Sequence, residues 1–537
     1  MIVTETKTNA NQQIARAAGV VMIAFVLSNL TGLLRQVLVT NAFGTTADME
    51  AFNAANRVSE TLFNLIAGGA LGSAFIPTFT GLLARNYRER AWRLASAVAN
   101  LLLLGIILIS IVAAIYAPWI VRYVLAPGFA TDAIKEALTI DLLRLMLPSA
   151  VIFGLSGLVM GILNSNQIFF LPALAPSMYQ VGMIIGVLFF TPRLGIYGLG
   201  WGVVLGSSLH LILQLPALIK LKGSYSPSLD LNSPDVREVA RLMGPRLLGV
   251  AVVQLNFWIN TRLASQFVDG SVTGVVLAFT LMLMPQAAIA QSIAIASMPT
   301  FSEQVALGKL NEMRSSLASA LRGALVLSIP ASLGLILLRK PVIELLYQRG
   351  EFTAHSTELV AWALLWYAAG LVGHTLVEIL SRAFYALHDT RTPVFVGVVA
   401  MSLNVVFSYA FSSWFLQLGW MPHGGLALAN SVATALEATG LLILMRKRLT
   451  GLEGGRVLNG LVKIVISTLA MSAILVGWLT IQPDFPVWLI AGGGIAIGGA
   501  VYLFVALFIG VPEVRRVSAF ISRRAVWAFQ KGTGRVE

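Results

Sequence analysis

The sequence has no cysteine, few charges and no long polar stretch, and each shortage removes a class of protein. Without Cys there are no disulfides and no thiolate metal sites, although a membrane protein needs neither, so this says little about compartment. Only 11% of the 537 residues are charged while 57% are hydrophobic, and the mean hydropathy is +0.81. That leaves too little polar surface to coat a soluble globule of this size. The longest polar connection, about residues 220–241, is too short to bury a core of its own. No Walker A sequence, HExxH or GxSxG occurs, and the five His are scattered. The chain is therefore not expected to be an enzyme, and no cofactor or metal site is predicted.

Apolar runs of 18 residues or more recur instead along the whole length, each long enough to cross a hydrocarbon core about 30 Å thick. The 48 Gly and 20 Pro that interrupt them are tolerated because neighbouring helices re-satisfy the freed backbone groups. The expected class is an all-α polytopic membrane protein. Fourteen transmembrane helices are predicted, at about residues 17–41, 51–83, 93–117, 136–164, 170–191, 195–219, 240–266, 272–300, 317–338, 357–386, 393–416, 423–445, 460–481 and 486–510. The first apolar run is too long for a signal-peptide h-region and is expected to remain as a span.

A net charge of +13 would suit nucleic acid, but its distribution does not. With alternate loops assigned to the N-terminal side, about 27 of the 37 Lys and Arg fall there. This positive-inside pattern puts both termini in the cytoplasm. The basic charge then sets topology and meets anionic membrane lipids, with no nucleic-acid partner. The tail, residues 512–537 with "RRVSAFISRRAVWAF", has the look of a basic amphipathic segment on the inner leaflet.

The chain also resembles itself. "SAFIPTFTGLLA" from Ser73 is echoed by "IASMPTFSEQVA" from Ile295, and "RLASAVANLLLL" from Arg93 by "SLASALRGALVL" from Ser316. Pro118 and Pro341, Phe129 and Phe352, and Pro172 and Pro393 keep nearly the same shift. The period covers six spans, an even number, so two six-helix lobes (1–222 and 223–448) are expected in the same orientation. They would be related by a pseudo-two-fold axis along the membrane normal, an arrangement of alternating-access carriers. Two spans in 449–511 stand outside the repeat.

Ionisable groups within spans are costly, at about 2.5–3.5 kcal/mol each near a helix centre. The first two spans and their link carry Arg35, Asp48, Glu50, Arg57 and Glu60. Asp141 with Arg144, Glu378 with Arg382, and Arg57 with Glu60 have the spacing of local helical pairs. His210 suits an interhelical hydrogen bond, and Glu437 lies in the twelfth span. Arg35 and Arg262 have no acidic residue at i±3 or i±4. Each needs a partner on another helix (Glu60 or Glu50 for Arg262), water, or an anionic ligand. Arginine suits phosphate because its fork donates two parallel hydrogen bonds and stays charged when desolvated.

The stretch Ala126–Gln180, "APGFATDAIKEALTIDLLRLMLPSAVIFGLSGLVMGILNSNQIFFLPALAPSMYQ", strongly resembles the MurJ/MviN family. So do "LPALIKLKG", "RLMGPRLLGVAVVQLNFWINT", "LYQRGEFTAHS" and "RAFYALHDTRTPV". The resemblance runs in order from about Ala15 to Arg448. It implies a fourteen-span flippase of the MATE-like exporter superfamily, turning lipid II, a polyprenyl-diphosphate-linked peptidoglycan precursor, across the bacterial cytoplasmic membrane. It further implies a cationic headgroup cavity in the first lobe and a lipid-tail groove formed by the two extra spans. Arg35, Glu50 and Arg57 match the family's pattern, with Asp48 close by. Asn29, Phe63, Gly68, Thr280 and Leu283 stand where charged residues are usual. Arg262 sits where an apolar residue is usual and is a candidate replacement for the missing positive charge.

The expected headgroup cavity therefore comprises Arg35, Glu50, Arg57, Glu60, Arg262, Asn29 and Thr280. Asp48, Glu50 and Glu60 are candidates for coupling to Na+ or H+, and membrane potential is the other available energy source. The expected partners are a lipid-linked substrate, membrane lipids and the cell-wall synthesis machinery, with the chain a monomer. Three readings stand: a lipid II flippase; an exporter of another lipid-linked oligosaccharide or a MATE-type small-molecule antiporter; and a non-transporting membrane scaffold.

Overall fold

The computed structural model describes residue 24 and residues 26–65, 74–481 and 485–515. Gly68 and the tail from residue 516 onward lie outside them. Among the described residues every regular element is helical. Ten helices are long and apolar enough to cross a membrane, or up to twelve if each of two bent pairs forms one span.

The chain divides into two compact units. The first takes residues up to Thr273 together with Arg349–Thr353, and the second takes Gly274–Gln348 and Ala354 onward. The first unit holds α1 (residues 26–43), α2 (Ala47–Phe63), α3 (Ile76–Ala84), α4 (Arg88–Ile115), α5 (Ala133–Ser165), α6 (Phe170–Ile185), α7 (Ile196–Ile212) and α8 (Pro234–Ala264). α5 starts where it does because the Asp132 side chain accepts the N–H groups of Ile134 and Lys135, at 3.0 and 3.2 Å, an acidic N-cap. α6 and α7 meet through small residues: a Cβ added at Gly182 would strike the Gly206 backbone. That is the close backbone approach expected where no hydrophobic effect drives helices together in lipid. His210 of α7 is 2.6 Å from Ser156 Oγ of α5, the interhelical hydrogen bond its position suggests.

Asp141 and Arg144 do not pair with each other. Arg144 Nε donates to the Ala114 carbonyl at 3.0 Å, in the last turn of α4, and Asp141 accepts from the Tyr197 hydroxyl at 3.3 Å. A free helix-end carbonyl and a neighbouring phenol outcompete the local i,i+3 partner.

The connection from α7 to α8 is strapped along α4. Ser226 N–H donates to Ser96 Oγ at 3.1 Å, and Asn100 Nδ2 to the Ser226 and Ser228 carbonyls at 3.0 and 2.8 Å. Arg90 then grips Asp235 in the first turn of α8 with two bonds of 2.5 and 2.9 Å.

The second unit follows with α9 (Ser271–Gln286, crossing the boundary), α10 (Ser292–Ala306), α11 (Leu310–Leu337), α12 (Arg339–Tyr347), α13 (Ala354–Ala369), α14 (Leu371–Ala386), α15 (Arg391–Gln417), α16 (His423–Arg448), α17 (Gly454–Ile481) and α18 (Val487–Ile509). The expected tenth span, 357–386, is two helices, α13 and α14, bent by 45° at Gly370. α4 and α11 are each 28 residues long and start 222 residues apart (310 − 88). Glu378 and Arg382 form the expected pair at 2.7 Å. Asp389 accepts the Thr392 hydroxyl at 2.7 Å and its N–H at 3.0 Å, which fastens the start of α15 and holds the Asp389 carboxyl below the usual range.

The α17–α18 hairpin is bound to α11. Tyr502 OH donates to the Val326 carbonyl at 2.7 Å, and Arg322 pairs with Glu513 at 2.8 Å. Leu325, Ile464, Met471, Leu475 and Ala506 fill the space between.

Candidate functional site

The charges near the start of the chain fall into two groups, both within the first unit. One group lies along a face of α2, where Asn53, Asn56, Arg57, Glu60 and Thr61 recur at helical spacing. Arg57 Nη1 donates to Glu60 Oε2 at 2.9 Å, the expected i,i+3 pair, and Asn56 Nδ2 donates to Glu60 Oε1 at 3.0 Å. α8 supplies the opposite wall. The Phe257 ring lies 5.1 Å beneath the Arg57 guanidinium, and Trp258 Nε1 donates to Thr61 Oγ1 at 2.7 Å. Gln254 stands 3.4 Å from the same hydroxyl.

Arg35 of α1 joins this group from another side. Its Nη2 donates to Gln36 Oε1 at 2.9 Å and its Nη1 lies 3.4 Å from Met183 Sδ of α6. Tyr179, also on α6, is within electrostatic reach of both Arg35 and Glu60. Among the described residues Arg35 has no carboxylate partner, and its Nε is buried with no acceptor. Arg57 Nε and Gln180 Oε1 are likewise buried and unsatisfied among the described residues. A thioether and a neutral amide are weak compensation for a guanidinium beside apolar helices. This half-buried cation is the chemical feature that most needs a ligand.

The second group is a closed ionic cluster at the other end of α2. Glu50 is 1% exposed, with Oε2 2.6 Å from Lys135 Nζ and Oε1 accepting the Val272 N–H at 2.8 Å. Lys135 also reaches Asp269 Oδ1 at 2.8 Å and lies 4.2 Å from the Phe129 ring centroid. Glu50 is thus fully occupied. Asp48, two residues earlier, is exposed.

Other candidates lie elsewhere. Arg262 Nη1 donates to the Tyr123 carbonyl and stands 3.5 Å from that of Val124. Its partner is therefore the π-helical turn Ile120–Leu125, and neither Glu50 nor Glu60 pairs with it. Asn29 is exposed on α1. Phe63 is 4.6 Å from Phe153, centroid to centroid, an aromatic contact at a position where the family resemblance makes a charge usual. Thr280 belongs to the second unit, its hydroxyl bonded to the Val276 carbonyl at 2.8 Å within its own helix. Among the described residues no cluster of three His, Asp or Glu side chains is arranged to hold a metal ion.

Sequence reasoning missed Lys135, Gln254 and Trp258. In "TDAIKEALT" Lys135 looks like an ordinary solvated charge in a helix's first turn, so nothing local marks it. Gln254 and Trp258 carried a usable signal, being an i,i+4 polar pair inside an otherwise apolar span.

A family model described as "Lipid II flippase MurJ" matches residues 39–489. The chain belongs to the MurJ family. A lipid II flippase MurJ of Burkholderia cenocepacia is 30% identical over 513 residues, 93% of this chain and 97% of that one. A probable lipid II flippase MurJ of Vibrio cholerae is 31% identical over 517 residues, covering 92% and 96%. Among solved structures, a lipid II flippase MurJ in an inward closed conformation superposes with a TM-score of 0.77 at 25% identity, covering 90% of this chain and 97% of that one. An inward-facing multidrug resistance MATE transporter shares the fold alone, at a TM-score of 0.65 and 16% identity over 80% of this chain and 96% of that one. The MurJ-family chain is thus a multi-pass membrane protein of the transporter class.

Proposed function

We propose that the chain is a fourteen-span flippase that carries lipid II, a polyprenyl-diphosphate-linked peptidoglycan precursor, across the bacterial cytoplasmic membrane by alternating access. Family membership over most of the chain supports the cargo, since the relatives bear the lipid II flippase name. The observation that carries the mechanism is Arg35, a half-buried cation with no carboxylate among the described residues and an orphaned Nε, in the same unit as Arg57, whose Nε is also orphaned. Two such guanidiniums are matched to a diphosphate, which accepts paired hydrogen bonds and returns the charge that the protein withholds. Gln180, Tyr179 and Trp258 supply neutral donors, acceptors and ring faces for the attached sugars.

In this reading residues 1–222 and 223–448 are the two six-helix lobes, related by a pseudo-two-fold axis. The equal lengths and 222-residue spacing of α4 and α11 support that duplication. α17 and α18 hold the lipid tail, and both termini face the cytoplasm. The chain acts as a monomer beside the cell-wall synthesis machinery. Asp48 and Glu60 are the exposed and part-exposed carboxylates available to couple Na+ or H+, and membrane potential is the alternative drive.

The test is complementation of cells depleted of their lipid II flippase, with a headgroup-accessibility assay alongside. Rescue is expected, together with arrival of the lipid II headgroup in the outer leaflet, and both should be lost in Arg35→Ala. The Phe63–Phe153 contact, apolar where a charge is usual, favours a second reading: export of a different lipid-linked oligosaccharide. Normal expression without rescue, and movement of such a lipid in its place, is that reading's result.

A further inference from the structure

Two spans of the first unit, α4 and α5, enclose a groove of about 410 Å3. Ile107 and Ile111 of α4 and Leu147, Val151 and Ile152 of α5 form its walls, with Arg144 at its head. Ile107 and Ile111 are exposed, so the groove opens on a surface that acyl chains cover.

The charges at the head of this groove are incompletely used. Arg144 is exposed, and only its Nε is engaged, on the Ala114 carbonyl at 3.0 Å. Its two terminal nitrogens have no acceptor among the described residues, and a guanidinium within a span needs an anion or water. Asp141, also exposed, accepts from the Tyr197 hydroxyl through Oδ2 and keeps Oδ1 free. It lies three residues nearer the start of α5, about 4.5 Å along the axis, and does not neutralise Arg144. Ser110, one turn before Ala114 on α4, lines the same groove. It is 8% exposed, and its hydroxyl is buried with no partner among the described residues.

From the helix ends toward mid-span the order is carboxylate, guanidinium, hydroxyl, apolar wall. A phosphatidylethanolamine presents the complementary order: ammonium, phosphate, ester carbonyl, acyl chain. The Arg144 fork suits the phosphate, and Asp141 suits the primary ammonium two methylenes further out. Ser110 gains an acceptor in the ester carbonyl, and one acyl chain fills the groove along Val151 and Ile152. A phosphatidylglycerol would instead set an uncharged glycerol against Asp141 and leave that carboxylate repelling its phosphate.

We propose that the α4–α5 groove is a binding site for a zwitterionic phospholipid with a primary-amine headgroup, held by Arg144 and Asp141 together. Its occupant is a resident lipid of the surrounding leaflet and not the cargo, so the site does not rest on the flippase reading.

The test titrates delipidated full-length protein in detergent with phosphatidylethanolamine or phosphatidylglycerol, counting bound lipid by native mass spectrometry. The parent should bind phosphatidylethanolamine at least about tenfold more tightly than phosphatidylglycerol. Asp141→Asn, isosteric at an exposed position, should weaken phosphatidylethanolamine about tenfold and leave phosphatidylglycerol as tight or tighter. Arg144→Gln should weaken both lipids. Val151→Trp, which fills the groove without touching a charge, should weaken both while the protein remains monodisperse. A parent with no preference between the lipids overturns the site, as does an Asp141→Asn chain that keeps the parent's preference. Val151→Trp protein that binds as the parent does would place the lipid elsewhere and overturn it too.

Discussion

The two ends of α2 treat charge in opposite ways. At the Glu50 end a carboxylate is sealed beneath an ammonium and a backbone N–H, and every strong group has its counterpart. Near the Arg57 end Arg57 takes Glu60, Arg35 has no carboxylate among the described residues, and Arg35 Nε and Arg57 Nε are left over. Both ends would look alike in a tally of intramembrane charge. The difference teaches that satisfaction, more than number, separates a charge that holds structure from one that awaits a ligand.

The largest effect that tests this contrast is expected at Lys135. Lys135→Met strands Glu50 and should lower unfolding stability by about 3–5 kcal/mol, measured by thermal unfolding in detergent. Adding Glu50→Gln in the same chain should recover more than half of the loss. A single substitution that leaves stability unchanged would erase the distinction between the two ends. Arg35→Ala is expected to invert the pattern: stability hardly moves, while headgroup translocation loses about 2–5 kcal/mol of substrate interaction, at least about thirtyfold in rate. If stability falls and translocation persists, Arg35 belongs with the structural charges.

Arg262→Ala sharpens the boundary between the two kinds. Its bonds to the Tyr123 and Val124 carbonyls predict a stability loss of about 1.5–3 kcal/mol with translocation within about threefold of the parent. A selective loss of translocation would return Arg262 to the headgroup cavity. The smallest effect is a calibration at a half-buried carboxylate outside the spans. Asp389→Ala should cost about 1 kcal/mol at neutral pH through the start of α15. Because the Thr392 bonds hold the folded Asp389 carboxyl below its ordinary range, its contribution is present at neutral pH and lost as pH falls through the folded value. The gap between parent and variant melting should therefore close on acidification.

Membrane class, long helices and the local pairs Arg57–Glu60 and Glu378–Arg382 were legible in the sequence because they depend on runs and spacings of one segment. Arg35's need for a non-local partner was legible for the same reason. The Lys135 cluster was not, since its four contributors come from α2, the residues before α5, α5 itself and the α8–α9 link. Their meeting is a product of the fold. The Asp141–Arg144 expectation failed because local spacing says nothing about a competing carbonyl at the end of α4. Arg262 shows the same blindness: its acceptors are backbone atoms, which no side-chain pattern advertises.

The strap of residues 223–228 along α4 has a mechanical consequence. With Ser226 and Ser228 tied to Ser96 and Asn100, and Asp235 gripped by Arg90, the run between α7 and α8 has almost no slack. A displacement of the α8 N-terminus is transmitted to α4 as by a stiff coupling rod. Torque about α8 would therefore turn α4 with it before any loop stretched.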